Sequence, residues 1–494
     1  MDTVDSESKP YFVLVPLMAQ GHMIPMVDMA RLLAEHGATV TFVTTPVNAL
    51  RMKIIIEKIE ESQLPIDFLK LEFPCEKAGL PEGCESADML SGSDQIIKFI
   101  TACAMLKDSL ISCLGEKYPS PTCIIADMNQ PWVGDLAREL SIPRLTFNGS
   151  GVFPNLASYI IRHQNIFSDV KDDKEIVKIP GFPHRLEMTK AKSPVGVQRP
   201  GMEQFLEKRL QEERSADGVV VNSFYELEPL YVDSYTKTAG KKIWTIGPML
   251  LCNRNTNEMS GRGNKASIDE DDCLRWLDVQ KPASVVYVSF GSLAQTTLAQ
   301  LAEIGLGLEA SGCPFVWVIK AGDKSTDVKE WLSNGFEERI NDRGLIIKGW
   351  APQMMILSHP SIGGFLTHCG WNSILESICA GVPMITWPHF ADQFLNEILI
   401  VEILKIGVKI GVEYPNQWAR GEEDNNDNDV TVERDDVAKV VPEFMDGGEE
   451  MREKARELAR EARKAMDEGG SSSNNLIELI KEYADTGKTS SVEP

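Results

Sequence analysis

Apolar residues gather in short blocks whose spacing alternates between strand and helix periods. Tyr11 to Leu17 (YFVLVPL) is a continuous apolar run of strand length. It leads through Met18-Ala19-Gln20-Gly21-His22 into Ile24 to His36. There Val27, Ala30, Leu33 and Ala34 share one helical face, Pro25 stands where a helix begins and Gly37 where one stops. Thr39 to Thr44 (TVTFVT) is the next strand. Strand, helix and strand in such close succession make a βαβ unit, and therefore predict a parallel sheet.

Further strands are predicted at Cys123 to Ala126 and Gly218 to Val221, with helical stretches such as Gln130 to Leu140 between them. From Cys252 to Ile268 polar and turn-forming residues dominate, the composition of a connector. The alternation then restarts with Ser284 to Ser289, a helix from Thr297, Phe315 to Lys320, Gly344 to Lys348, Gly363 to Thr367 and Val382 to Trp387. After the break Gly469-Gly470-Ser471-Ser472-Ser473 a separate helix, Leu476 to Tyr483, closes the pattern. The expected organisation is a doubly wound α/β domain over residues 1–251, a connector over 252–268, a second such domain over 269–468 and a terminal segment over 469–494. No fixed-period repeat links the halves.

Length agrees with two domains, because a chain of 494 residues exceeds the ~250–300 that one core organises. Hydrophobic residues at 43% and charged residues at 25% are a globular balance. The formal net charge of −23 repels nucleic acid and anionic membranes, and no basic patch overrides it. Met451 to Lys464 (MREKARELAREARK) mixes both signs at helical spacing, as a solvated face does. No apolar run approaches the ~18–20 residues of a membrane span, so no integral membrane segment is expected. Ten cysteines without a C-x-x-C pair, behind an acidic N-terminus, predict reduced thiols, a cytoplasmic protein and an unmodified Asn148-Gly149-Ser150 sequon.

Open parallel sheets bind ligands beyond the carboxyl ends of their strands, so candidate chemistry is sought there. His22 follows the first strand. An imidazole at that place is either a general base or a loop residue with no task. Asp127 ends the strand that starts at Cys123, and is either the carboxylate partner of such a base or the N-cap of the next helix. Gly363 to Glu376 (GGFLTHCGWNSILE) runs from strand through a glycine turn into a helix, whose first N–H groups, with His368, suit a diphosphate. Ser373 and Glu376 also have capping-box spacing. Gly291-Ser292 offers a second phosphate-facing turn. The Asp-x-Asp spacings, Asp269-Glu270-Asp271 and Asp427-Asn428-Asp429, lie in polar connectors and read as surface charge, so no metal site is expected.

Trp350 to Gln393 reads WAPQMMILSHPSIGGFLTHCGWNSILESICAGVPMITWPHFADQ and closely resembles the signature box of plant secondary-product glycosyltransferases, the family-one UDP-sugar transferases. MAQGHMIPMVDMARLLA near the start, IIAD at Ile124 to Asp127, NSFYELE at Asn222 to Glu228 and VYVSFGS at Val286 to Ser292 carry the resemblance over nearly the whole chain. It is nearest to the branch acting on terpenoid, steroid and phenolic acceptors. The resemblance implies the GT-B fold, two Rossmann-like doubly wound domains facing across a cleft, with the last helix crossing back to the first. It implies no cofactor and no metal, a UDP-sugar as co-substrate, a small lipophilic acceptor, a monomer, and inverting transfer to a hydroxyl group.

By the same resemblance Trp350, with Ala351 beside it, matches the position that stacks on uracil, Gln353 its ribose neighbour, and Glu376 the carboxylate holding the ribose hydroxyls. His368, Asn372, Ser373 and Ser292 match diphosphate contacts. Trp371, Asp392 and Gln393 match positions touching the sugar, a pairing usual with glucose. His22 matches the family's base and Asp127 its partner. Related enzymes sometimes carry a threonine near Gly149 that touches the sugar, and here glycine stands instead. Trp132 and Phe153 are either an apolar acceptor wall or core. Two rivals remain: a nucleotide-sugar epimerase on a similar fold, and a UDP-sugar-binding protein without chemistry. A Rossmann dehydrogenase is disfavoured because no G-x-G-x-x-G follows either first strand.

Overall fold

The protein is described by a computed structural model covering residues 9–90, 92, 94–194, 201–255, 258–259, 261–293, 296–320, 326–415 and 430–484. In chain order its strands are β1 (Tyr11–Val15), β2 (Thr39–Thr44), β3 (Ile66–Lys70), β4 (Cys123–Asp127), β5 (Arg144–Asn148), β6 (Ile176–Lys178), β7 (Glu187–Thr189) and β8 (Gly218–Val221). They continue with β9 (Lys242–Thr245), β10 (Val285–Ser289), β11 (Phe315–Ile319), β12 (Gly344–Lys348), β13 (Ile362–Thr367), β14 (Met384–Thr386) and β15 (Gly407–Lys409). The chain divides into two compact units, 1–149 with 200–253 and 464–494, and 150–199 with 254–463.

The first unit is built on a parallel sheet of order β3-β2-β1-β4-β5-β8-β9. Central β1 pairs on one side with β2 (Leu14 opposite Phe42) and on the other with β4 (Leu14 opposite Ile125). Helices cover both faces, which is why Tyr11 to Val15 is apolar at every position rather than at alternate ones. The helix Gln20–Glu35 packs Met23, Met26, Val27, Ala30 and Leu33 into this core. The methionine, valine and leucine side chains among them each contribute about 1.5–3 kcal/mol through burial. The helix Ser471–Ala484 belongs to this unit. It lays Leu476, Leu479, Ile480 and Tyr483 into the core, while Ser472 donates to the Gly247 carbonyl at 2.6 Å and Asn475 to that of Thr245 at 2.9 Å.

The second unit repeats the plan with order β12-β11-β10-β13-β14-β15, again parallel. Its core joins Val286 and Val288 to Trp317, Leu366, Ile385 and Trp387. In each sheet the first strand has its second and fourth as neighbours, so the winding reverses between β1 and β4 and between β10 and β13. At such switch points adjacent loops diverge and leave room for a ligand.

Several expectations need correction. The first helix starts at Gln20, before the predicted Ile24, because Ala19 takes an extended conformation and its carbonyl accepts from the N–H groups of His22 and Met23. Pro25 therefore lies inside the helix and His22 in its first turn. Residues 150–199, expected in the first domain, group with the second unit and hold the antiparallel pair β6–β7. The expected connector 252–268 is divided as well: Asn253 belongs to the first unit and 254 onward to the second. Asn253 is anchored by a 3.0 Å hydrogen bond to buried Asp28. The first unit's last segment starts at 464 rather than 469.

Among the described residues no helix is long and apolar enough to cross a membrane. The sign-mixed stretch at 451–464 is part of the helix Glu449–Met466, with exposed ion pairs such as Lys454–Glu450 at 2.6 Å.

Candidate functional site

The switch point of the first unit brings two candidates together. His22 Nδ1 lies 2.6 Å from Asp127 Oδ2, and the Asp127 side chain is fully buried while that of His22 keeps 26% of its surface. The second carboxylate oxygen, Oδ1, accepts from Asn129 N at 2.8 Å and Asn129 Nδ2 at 3.1 Å. Asp127 is thus held from both sides, and it holds the imidazole so that Nδ1 donates and Nε2 carries the basic lone pair. The capping alternative for Asp127 does not hold, since the following helix is Val133–Leu140 with Trp132 at its N-cap. Asp127 instead closes a short turn with Asn129.

Gly149 adjoins this pair. A Cβ there would sit 3.6 Å from His22 Nδ1, an ordinary van der Waals distance, so crowding does not demand the glycine. Trp132 is core, its Nε1 donating to Gln130 Oε1 at 2.7 Å. Phe153 is fully buried in the second unit, edge-on to Phe182.

The switch point of the second unit collects most of the signature box. β13 ends at Thr367, Cys369 takes a positive φ of 63°, and Gly370 in extended conformation is the N-cap of the helix Trp371–Ala380. No side chain caps that helix, so Ser373 and Glu376 are interior residues and not a capping box. The N–H groups of Trp371, Asn372 and Ser373 form its first turn, a place suited to an anion.

His368 stands between two glycines. A Cβ on Gly291 would lie 2.6 Å from its Cε1, and one on Gly370 would lie 2.3 Å from its Nε2. Either substitution would displace the ring. Gly291 also has φ of 74°, and Ser292 follows it on the turn after β10. Burial drives His368 down to about 4, against a hydrogen bond to the Ser289 backbone, and drives nearby His389 to about 3. Both rings are therefore neutral near pH 7, and His368 Nδ1 has no hydrogen-bond partner among the described residues.

Gln353 links the remaining polar residues. Its Nε2 donates to Ser373 Oγ at 2.9 Å and Glu376 Oε2 at 2.6 Å, and its Oε1 accepts from Tyr287 at 3.2 Å. Trp350 is partly exposed next to buried Ala351. The Trp371 ring packs against Gly151, where a Cβ would be only 2.5 Å from it. Asp392 accepts from Asn396 at 2.9 Å, and the same amide reaches the Cys369 carbonyl at 2.9 Å. Gln393 Oε1 accepts from the backbone of His389 at 2.7 Å and Phe390 at 3.1 Å, so its amide nitrogen is the end left to meet a ligand.

Arg262, Ser267, Tyr287, His389 and Asn396 were not foreseen. Nothing in a polar stretch such as GRGNKAS marks its arginine as buried. Asp269 caps the helix Glu270–Asp278, accepting from Asp271 N and Asp272 N. The second Asp-x-Asp spacing, at 427–429, lies outside the described residues. Among the described residues no group of three or more His, Cys, Asp or Glu side chains is arranged to hold a metal ion.

The two neutral histidines set an acid limit. Unfolded imidazoles protonate near 6.5, while His368 and His389 resist protonation down to about 4 and about 3. Their contribution to stability is complete above 6.5 and is lost as pH falls toward those lower values, at up to ~1.4 kcal/mol per pH unit for each proton. His389→Gln is expected to flatten the slope of unfolding free energy between pH 6 and 4 by about one proton's worth, measured by urea titration. Equal slopes in both proteins would contradict this.

The chain is similar to known proteins over nearly its whole length. The family model described as UDP-glucoronosyl and UDP-glucosyl transferase matches residues 258–412. The chain is 48% identical over 478 residues to UDP-glycosyltransferase 73C6 of Arabidopsis thaliana, covering 96% of each. It superposes with a TM-score of 0.87 on Glycyrrhiza uralensis UGT73P12 complexed with glycyrrhetinic acid 3-O-monoglucuronide, at 35% identity over 98% of this chain and 97% of the other. It also superposes on Arabidopsis thaliana UGT89C1 complexed with UDP-L-rhamnose, with a TM-score of 0.74 and 30% identity over 97% and 100%.

Proposed function

This chain belongs to the plant family-one UDP-glycosyltransferases, enzymes of GT-B fold that move a sugar from a UDP-sugar to a small acceptor, and from that premise we propose its particular reaction. It transfers glucose, with inversion and without metal, to a hydroxyl group of a small lipophilic natural product such as a terpenoid, steroid or flavonoid. The observation that carries this reading is the 2.6 Å pair of His22 with buried Asp127.

In the reaction His22 Nε2 takes the acceptor's hydroxyl proton while the acceptor oxygen bonds to the anomeric carbon. The bond from that carbon to the diphosphate oxygen breaks and UDP leaves with the electron pair. Attack from the face opposite the leaving group converts an α-linked donor into a β-linked product. Asp127 stabilises the imidazolium formed and keeps Nδ1 as the donor. Trp350, beside Ala351, stacks on uracil, and Gln353 and Glu376 take the ribose. Charge growing on the diphosphate is met by the helix start at Trp371 to Ser373, by Asn372 and Ser292, and by His368 as a neutral donor. Trp371, the Asp392 carboxylate and the Gln393 amide nitrogen hold the sugar.

A lipophilic acceptor is supported by the ligand of the Glycyrrhiza uralensis relative, and a UDP-sugar donor by that of the Arabidopsis thaliana one. Incubation of the protein with UDP-α-glucose and a terpenoid, steroid and flavonoid panel, followed by NMR of the product, tests the reading. A β-glucoside formed equally well in the presence of a chelator is expected. An α-glucoside would rule out direct inversion, and UDP-galactose formed without any acceptor would favour the epimerase.

A further inference from the structure

The stretch 261–267, placed by its composition in a connector, touches both ends of the proposed nucleoside subsite. Ser267 N donates to the Trp350 carbonyl at 2.8 Å, and Trp350 N donates back to Ser267 Oγ at 2.9 Å. Five residues earlier Arg262 pairs through Nη1 with Glu376 Oε1, and the two side chains are 5% and 8% exposed. We propose that Arg262 is a positioning residue for the donor's ribose, acting through Glu376, and that this stretch is part of the nucleotide site. The inference rests on the reading that Glu376 takes the ribose.

The chemistry of the carboxylate supports it. A buried charge is tolerated only when paired and hydrogen-bonded, so Glu376 needs a cation to stay ionised in this place. Arg262 satisfies one oxygen and Gln353 Nε2, at 2.6 Å, the other. A carboxylate has about four lone-pair positions. A protein donor on each oxygen fixes the plane of the group. A ribose presents two neighbouring hydroxyl donors, which a carboxylate held in a fixed plane accepts together. Lysine would supply the charge from a flexible stem rather than from a planar guanidinium.

The test uses the full chain with Arg262→Ala, Arg262→Lys and Glu376→Gln. Binding of UDP and of 2′-deoxy-UDP is measured by calorimetry, and UDP-glucose kinetics at saturating acceptor. For Arg262→Ala we expect the UDP Kd and the UDP-glucose KM to rise about tenfold or more with kcat changed less than about threefold, the mark of lost binding common to ground and transition states. The preference for UDP over 2′-deoxy-UDP should shrink toward one, and Arg262→Lys should recover part of it. If Arg262→Ala does not fold, as judged by its thermal transition, the lysine variant carries the test through the same preference.

Unchanged affinity, an equal loss for both nucleotides, or tighter UDP binding, as from removal of a plug, would each overturn the proposal. Glu376→Gln separates the two layers. If it keeps the full 2′-hydroxyl preference, the ribose reading of Glu376 fails and the proposal with it. If it abolishes the preference while the arginine variants retain it, only the role of Arg262 fails.

Discussion

His22→Ala lowers kcat for glycosyl transfer by at least ~10², the lower bound for losing a positioned general base. The expectation follows from how firmly the imidazole is held. Its Nδ1 is 2.6 Å from a carboxylate that is itself tied by Asn129 at 2.8 and 3.1 Å, so the ring has one favoured tautomer. Removing it leaves an acceptor hydroxyl with no base, while the residues proposed for the donor lie in the other unit. UDP affinity should therefore stay within about threefold, since the loss falls on the chemical step. Asp127→Asn should also be slow, because an amide cannot stabilise the imidazolium and its NH₂ group opposes an Nδ1 proton. Steady-state rates at saturating UDP-glucose, with UDP titrations beside them, decide the matter. Full turnover by the alanine variant would remove the base assignment.

His368→Ala lowers kcat/KM by about 10²–10³, the range seen when one donor to a developing anion is lost. Burial keeps this ring neutral down to about 4. In the proposed role it would serve as a dipolar donor and not as a titrating cation, and a neutral donor fixed in place needs no reorganisation as charge develops. Two outcomes follow together. The activity ratio of wild type to variant should stay flat from pH 5 to 8, and the loss should be smaller for donors with a better leaving group. A ratio that collapses near pH 6.5 would mean that the protonated ring does the work, contrary to its burial.

How far the sequence disclosed this arrangement varies with the physics of each element. β2 (TVTFVT) and β12 (GLIIK) begin and end where the pattern places them, because β-branched residues are concentrated in both. β5 was missed because it begins with Arg144, whose buried guanidinium donates to the Glu212 carbonyl at 2.7 Å and is paired with its carboxylate at 3.1 Å. Partnering that is distant in sequence cannot be seen in a local pattern. β3 (IDFLK) and β9 (KIWT) likewise carry charged residues.

The start of the first helix is hidden because Pro25 resembles an N-terminal marker, whereas the turn at Ala19 that begins it has no side-chain cap to betray it. Among candidate site residues, the motifs named both members of the His22–Asp127 contact and all three of the Gln353, Ser373 and Glu376 cluster. Their partners Asn129, Tyr287 and Asn396 were not, since hydrogen-bond partners are chosen by the fold. Arg262 was the least visible, a buried cation in a run whose composition predicts solvent.

The helix Ser471–Ala484 fixes the order in which this protein can be finished. Its apolar face completes a core whose other walls are synthesised hundreds of residues earlier. During translation the first unit must wait, with that face of its sheet bare, until the whole second unit has left the ribosome. Emerging after the second unit, this segment seals what was begun first, so a nascent chain stopped before it carries an unfinished half and is a natural client for chaperones.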